Sequence, residues 1–476
     1  MTDAYTVAAG LCRLGIGTAD ITPPPDAYHR NWGAALHDAA EGIHRPLLAH
    51  AALFELDGAA HLLVTLDLGW LRRREMEELL QRVSRDTGID PQRLSVTFSH
   101  THAAVNLDLE RTGQPGGQHI APYLEALPQR IAEAAAQARD ALQDTHLSYA
   151  RGTCDLAWAR DFWDAGRRAY ACGPDPGEPG DDALLLMRAS DADGKPLAYL
   201  VNYACHPTTL AWDNRLISPD YIGAMRQTVE EATGVPCLFL QGASGDMGPR
   251  DGFVGDTAVA DRNGRQLGYA ALSAIEGLPP AATRMQYEGP LVSGATLGIW
   301  RHEPLDSEAL QALGACRSDE IAVDLELRPL PTRQELEARL EGLEAELQQA
   351  ADAGDEARQR DLRAYTERTR RLMRRLEEVS PDGRASYRVQ LWRIGQGVFV
   401  LLGGEPYNLL QRRLRALFPN TAVFVGELCN QPHSYLLPAT RYGLGIYQDD
   451  CATVAPGSLE KVIDAVADRL RRWGLD

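Results

Sequence analysis

Leu94-Ser95-Val96-Thr97-Phe98-Ser99-His100-Thr101-His102 couples a strand-forming run to a chemically loaded end. Residues 94–98 have the β-branched and aromatic composition of a strand. Two imidazoles at i and i+2 fall on one side of an extended backbone. Imidazole nitrogen suits a borderline metal such as zinc, with metal–nitrogen bonds of about 2.0–2.1 Å. An isolated His-x-His is more often a pair of packing or surface histidines, so the rest of the chain decides between the readings.

Outward from that run, strands and helices alternate. Residues 51–56 and 61–68 form two strands joined by the Asp57-Gly58 turn, and a helix over about 72–86 leads back to the histidine strand. A second helix spans 122–142, with Pro122 at its start. The strand at 198–203 runs into Cys205-His206-Pro207, and that at 237–240 into Gln241-Gly242-Ala243-Ser244-Gly245-Asp246. Alternating patterns return at 387–394 and 398–402, the latter ending in Gly403-Gly404-Glu405. A helix over 406–417, a strand at 422–425 and a closing helix over 459–473 complete the pattern. Hydrophobic strands whose carboxyl ends carry polar loops predict an α/β fold, mixed sheets flanked by helices, with a ligand crevice at that edge. Gly242 and Gly245 are expected in tight turns with positive φ.

Residues 332–380 differ in character. Leu336, Leu340, Leu343 and Leu347 repeat with heptad-like spacing, and after Gly354 come Leu362, Tyr365, Leu372 and Leu376 on an Arg-rich stretch. The pattern predicts a helical hairpin with an acidic first arm and a basic second. A dimerisation or lid element is one reading. The narrow apolar stripe favours the other, a charged insertion packed on its own domain.

At 476 residues, 44% hydrophobic and 24% charged, the composition is that of a globular protein, read as a single domain over 1–476 with the 332–380 insertion. The net charge of −18 disfavours nucleic acid and anionic membrane surfaces as partners. Met1-Thr2-Asp3-Ala4-Tyr5 opens without a basic region or a following apolar core, and no apolar run reaches 18 residues. Eight scattered cysteines without a CxxC pair fit free thiols, so a cytoplasmic location is expected.

Taken in order, Gly15-Ile16-Gly17-Thr18-Ala19-Asp20-Ile21-Thr22-Pro23, Asp67-Leu68-Gly69, Ser99-His100-Thr101-His102, Cys205-His206-Pro207, Gly245-Asp246, Gly404-Glu405 and Asn430 to Tyr435 resemble the neutral/alkaline non-lysosomal ceramidase family of zinc amidases. The resemblance implies a ceramidase-like catalytic domain and one zinc ion per chain, held by His100, His206, Glu405 and Tyr435. It implies that His102 contacts substrate or the reacting oxygen. Arg160, in Trp158-Ala159-Arg160-Asp161, matches an active-site arginine, and Tyr442 a tyrosine that contacts the scissile amide.

Such a site makes chemical sense. Zinc lowers the pKa of bound water to about 7 and polarises a carbonyl. Arg160 or Tyr442 could then serve an oxyanion, and His102 a leaving amine. Two departures stand out. Gly248 occupies the place of a family serine, a candidate nucleophile, so water is the preferred nucleophile, and Ser244, on the other side of the Gly-Asp pair, is not assumed to be its equivalent. The immunoglobulin-like C-terminal domain of secreted relatives is also expected to be absent. The expected activity is zinc-dependent hydrolysis of the amide bond of an N-acyl or related small molecule. An esterase, lactonase or phosphoesterase on the same site, and a non-catalytic ligand-binding homologue, are the alternatives. A homo-oligomer through the 332–380 hairpin remains open.

Overall fold

The computed structural model describes residues 4–377, 379 and 383–476. Met1–Asp3, read above for a leader, and Glu378 and Ser380 at the end of the expected hairpin lie outside the described residues. The first half supplies strands β1 (Ala9–Asp20), β2 (Leu48–Leu56), β3 (Ala59–Leu66), β4 (Leu94–Phe98), β5 (Gln143–Thr153), β6 (Ala183–Ser190), β7 (Pro196–Tyr203) and β8 (Cys237–Gln241). They form one eight-stranded sheet in the order β8-β7-β6-β5-β1-β2-β3-β4. Its end pairs, β7 with β8 and β3 with β4, are parallel, and the centre is antiparallel. Strands β9 (Cys316–Glu326), β10 (Arg384–Ile394), β11 (Gly397–Leu402) and β12 (Ala422–Gly426) make a four-stranded sheet in chain order.

The two sheets pack face to face because their alternate residues are apolar on both sides. Phe54, Leu63, Leu185 and Leu200 of the large sheet meet Trp392, Phe399 and Phe424 of the small one. Trp392 stands 6.0 Å from Phe54, ring to ring. On the outer face, Leu62, Val64 and Val96 bury Met76, Leu79 and Val83 of α1 (Arg73–Thr87) and Ile131, Ala134 and Ala138 of α2 (Ile120–Asp140). Leu184, Val201 and Phe239 cover α3 (Tyr221–Thr233) and α4 (Thr257–Glu276). The outer face of the small sheet buries α7 (Leu409–Leu417) and α8 (Ser458–Arg472). Helices therefore sandwich two stacked sheets.

Gly15 and Gly17 explain their motif through the close approach of α2. A Cβ at Gly15 would sit 1.8 Å from the Ala138 carbonyl oxygen, and one at Gly17 2.0 Å from that of Ala134. Only hydrogen fits between strand and helix there.

Two insertions leave this frame. Thr283–Ser293 and Ala295–Pro304 form a largely exposed β-hairpin. The hairpin expected over 332–380 is α5 (Arg333–Asp352) and α6 (Glu356–Glu377). Thr332 and Glu335 close a capping box at its start. Leu336 and Leu362 are its buried leucines, and Arg358–Glu346 and Arg370–Glu344 tie the arms together. It lies back on its own chain, where Arg111 of the body holds Glu367 through both carboxylate oxygens, at 2.7 and 2.8 Å.

Candidate active site

Strand ends and the loops beyond them build the site. Strand β4 stops at Phe98, and His100 adopts φ +66°, a left-handed conformation rare for a residue with a side chain. The two histidines thus do not share an extended backbone as the spacing suggested. A turn folds His102 back until the two rings lie 4.8 Å apart. The His100 backbone N–H donates to Leu68 O at 3.0 Å, and its ring Nδ1 lies 2.9 Å from Gly69 O. That contact fixes the tautomer and turns Nε2 inward. Asp67-Leu68-Gly69 is itself anchored: Asp67 accepts both Arg226 Nη atoms at 2.8 and 2.9 Å and Leu48 N at 2.9 Å.

His206 follows β7, with its backbone N–H on Met247 O. Glu405 and Tyr435 are paired in register, because Glu405–Pro406 runs parallel to Tyr435–Leu436. Arg160 follows Ala157–Ala159, which pairs with Met247–Pro249. Its guanidinium donates to Gly245 O and, at 3.1 Å, to the Tyr435 hydroxyl.

Residues far apart in the chain therefore converge. Glu405 Oε2 is 3.4 Å from His100 Nε2 and 3.9 Å from His206 Nε2. His102 Nε2 lies 3.1 Å from His206 Nε2. Ligand atoms of His100, His102 and His206 all fall within 4.8 Å of one another. Burial lowers the His102 and His206 imidazoles well below their ordinary range, which keeps them neutral with a lone pair to donate. Burial also lowers His100, but the Glu405 charge outweighs it and the net shift is upward. Burial would raise Glu405, and the His100 charge outweighs it in the opposite direction. Each partner thus demands an opposite charge.

The residues fit a divalent metal on this chemistry. His100 Nε2 and Glu405 Oε2 are buried and close no hydrogen bond, although buried polar atoms normally do. Nitrogen, nitrogen and carboxylate donors with a phenol alongside form a zinc-type set.

A profile of the neutral/alkaline non-lysosomal ceramidase N-terminal region matches residues 12–250, half of the chain. The chain belongs to the neutral/alkaline non-lysosomal ceramidase family. A neutral ceramidase of Drosophila pseudoobscura pseudoobscura is 23% identical over 368 residues, covering 68% of this chain and 50% of that protein. The chain spans about half the length of that curated relative. The crystal structure of neutral ceramidase from Pseudomonas aeruginosa superposes with a TM-score of 0.65 at 18% identity, covering 98% of this chain and 74% of the other. A ceramidase complexed with C2 gives 0.62 at 17%, covering 98% and 76%. The mixed α/β architecture is thus the ceramidase fold.

Within this ceramidase-family chain, the structure gathers His100, His102, His206, Glu405, Tyr435 and Arg160. It does not bring Tyr442 to them. The Tyr442 hydroxyl donates to Val454 O at 3.0 Å, and its ring packs under Arg328. Tyr447, five residues on, lies on the site wall with its ring 6.0 Å from that of Tyr435. Its place in the Gly- and Tyr-containing stretch 442–447, shared with Tyr442, is the signal the sequence carries for it.

Ser244 is fully buried and donates to Glu427 Oε1 at 2.5 Å, away from the cavity walls. Gly248 faces Arg160, with room for a Cβ 3.5 Å from Arg160 Cδ. Gly242 and Gly245 lack the positive φ expected of them. Their constraint is proximity: a Cβ at Gly245 would meet Glu405 O at 2.6 Å, and one at Gly242 would meet Gln411 Oε1 at 2.8 Å. Asp246 accepts Asn408 N at 2.6 Å, and burial pushes its carboxyl up to about 7.

Two cavities flank the cluster. The larger, about 400 Å³, is lined by Trp32, Trp212 and Phe253 together with His102, His206 and Arg160. The smaller, about 160 Å³, lies beside Trp70, His100, His102 and Glu405. Residues of α6 line both. The insertion is therefore part of the site wall, which its charge pattern did not reveal.

Proposed function

We propose that this chain is a metal-dependent hydrolase that cleaves the amide bond of an N-acyl small molecule. The observation that carries the reading is the orphaned pair His100 Nε2 and Glu405 Oε2, buried beside His206 and Tyr435 at the junction of two cavities. His100, His206, Glu405 and Tyr435 would hold the metal, with zinc the choice that suits those donors. When bound, a zinc ion supplies Lewis-acid polarisation of a carbonyl and acidifies water.

The chain's own residues divide the remaining work. Gly69 O and Arg160 fix the orientations of His100 and Tyr435, which removes reorganisation from the reaction. Arg160 spends Nε and Nη2 on Gly245 and Tyr435, leaving Nη1 outside those bonds to donate to an oxyanion. His102 borders both cavities, so its imidazole is placed to carry a proton between the attacking water and the departing amine. The aromatic walls of the larger cavity suit an acyl group and keep bulk water away.

The test is a parallel hydrolysis screen of zinc-loaded protein on N-acyl amides, esters and phosphoesters of matched size. The reading requires amide turnover that Arg160→Ala depresses more than it depresses metal content. Turnover confined to esters or phosphoesters would overturn the assignment of bond type.

A further inference from the structure

Glu367, Arg371 and Arg375 stand i, i+4 and i+8 on α6, so they share one face. All three line both cavities. The arginines on this helix are not equally matched. Arg368 pairs with Asp450, and Arg374 with Asp108 and Glu110. Glu367 is held by Arg111 through both oxygens, so its charge is already met.

Arg371 donates to the Asn31 carbonyl at 2.7 Å, and its Nε stays 3.8 Å from Glu367. Its guanidinium carbon lies 6.0 Å from the Trp70 ring centre. Arg375 reaches the Cys451 carbonyl at 3.4 Å and forms no close ion pair among the described residues, with the Glu405 charge acting on it at longer range. Arg160, which lines the larger cavity, also hydrogen-bonds neutral oxygens, those of Gly245 and Tyr435, with Glu405 the carboxylate whose charge acts on it. In a chain of net charge −18, the walls around Glu405 thus hold guanidinium groups in excess of carboxylates. Glu367 and Glu405 answer only part of that positive charge, and a surplus of cations removed from water is costly until it is balanced.

We propose that the counter-charge comes with the substrate: the site takes an N-acyl compound whose amine half bears a carboxylate, seated on Arg371 and Arg375. The smaller cavity, about 160 Å³, suits a compact charged half, and the aromatic cavity of about 400 Å³ suits the acyl half. Guanidinium forks match carboxylate geometry, and the wall of α6 excludes much of the solvent that would otherwise screen the pair. Arg371 and Arg375 are then specificity-determining residues delivered by the insertion. This inference rests on the amide-hydrolase reading for the bond broken, but not for the anion site itself.

N-hexanoylglycine and N-hexanoylglycinamide differ by one charge at nearly constant shape, and both are measured in two ways. Calorimetric binding to the wild-type chain should favour the carboxylate by about tenfold or more, as a charge-assisted pair requires. With zinc-loaded protein, kcat/KM should favour it by a similar factor. Arg375→Gln should reduce the preference to about threefold or less, and Arg375→Lys, which keeps the charge and loses the fork, should fall between that and the wild type. Arg371→Gln provides a second variant should the first fail to fold. Equal binding of the two probes, binding of neither, or a preference untouched by both variants overturns the anion site. A binding preference without hydrolysis of either probe leaves the anion site standing and removes the hydrolase reading. Equal hydrolysis of both, with equal binding, does the reverse.

Discussion

Replacing Asp67 by alanine strips a buried guanidinium of its partner and loosens the loop that aims His100. Both side chains are nearly sealed from solvent, at 4% exposed for Asp67 and 5% for Arg226. Three hydrogen bonds disappear together: two from Arg226 and one from Leu48 N. Removing one member of a buried pair costs about 3–5 kcal/mol, mostly from the charge left behind. At about 2.1 cal/mol/K per residue, a chain of this length has an unfolding entropy of about 1 kcal/mol/K, so the melting temperature should fall by about 3–5 °C. Scanning calorimetry reads this directly. Asp67→Ala with Arg226→Met should recover most of the loss, because no unpaired charge remains. A single-variant loss below about 1 °C, or no recovery in the double variant, would refute the view that this pair anchors the His100 loop.

Burial pushes Glu427 from the ordinary 4.5 up to about 8, so the folded state holds a proton that the unfolded chain has lost. Stability should therefore fall as pH rises from about 4.5 to about 8, by a few kcal/mol at about 1.4 per pH unit. Urea midpoints across that range should flatten in Glu427→Gln. Ser244→Ala should retain turnover within about threefold while losing about 1–3 kcal/mol of stability, because it removes the hydroxyl donor to Glu427 Oε1 and leaves only the backbone N–H of residue 244 on Oε2; loss of several orders of magnitude in kcat would restore serine as nucleophile. Tyr447→Ala should lower kcat/KM by about tenfold or more and Tyr442→Phe by less than about twofold, since only Tyr447 borders the cavities. The reverse order would place the reacting amide elsewhere.

The fold was readable wherever burial has a period. Leu62, Leu63 and Val64 alternate between the two cores, and the residues around Leu185 do the same. Helices α1 and α2 came out within about two residues of their expected ends, as is usual for boundaries. Exposure hid the arm at Thr283–Ser293 and Ala295–Pro304, because Leu291 and Val292 stay largely exposed and Trp300 packs on Tyr287 within the arm itself, which imposes no core pattern.

The site was readable as a set of strand-end residues, through motif order rather than physics. Its geometry was not. His100 turns at φ +66°, a conformation sequence marks clearly only for glycine. Positive φ is expected at Gly242 and Gly245, whereas their real constraint is proximity: the Gln411 side chain lies against Gly242 and the Glu405–Pro406 backbone against Gly245, both from 160 or more residues away. The arginines of α6 read as a solvated charge run. Their role depends on Asn31, Arg111 and Cys451, which local sequence cannot bring alongside.

Metal content tests the account most directly. Purified chain exposed to zinc alone and freed of excess should retain about one ion, measured by elemental mass spectrometry. His206→Ala and Glu405→Ala should lose it, while His102→Ala should keep it and lose turnover. Zinc retained by Glu405→Ala, or lost as fully by His102→Ala as by His206→Ala, would contradict the ligand set of His100, His206, Glu405 and Tyr435.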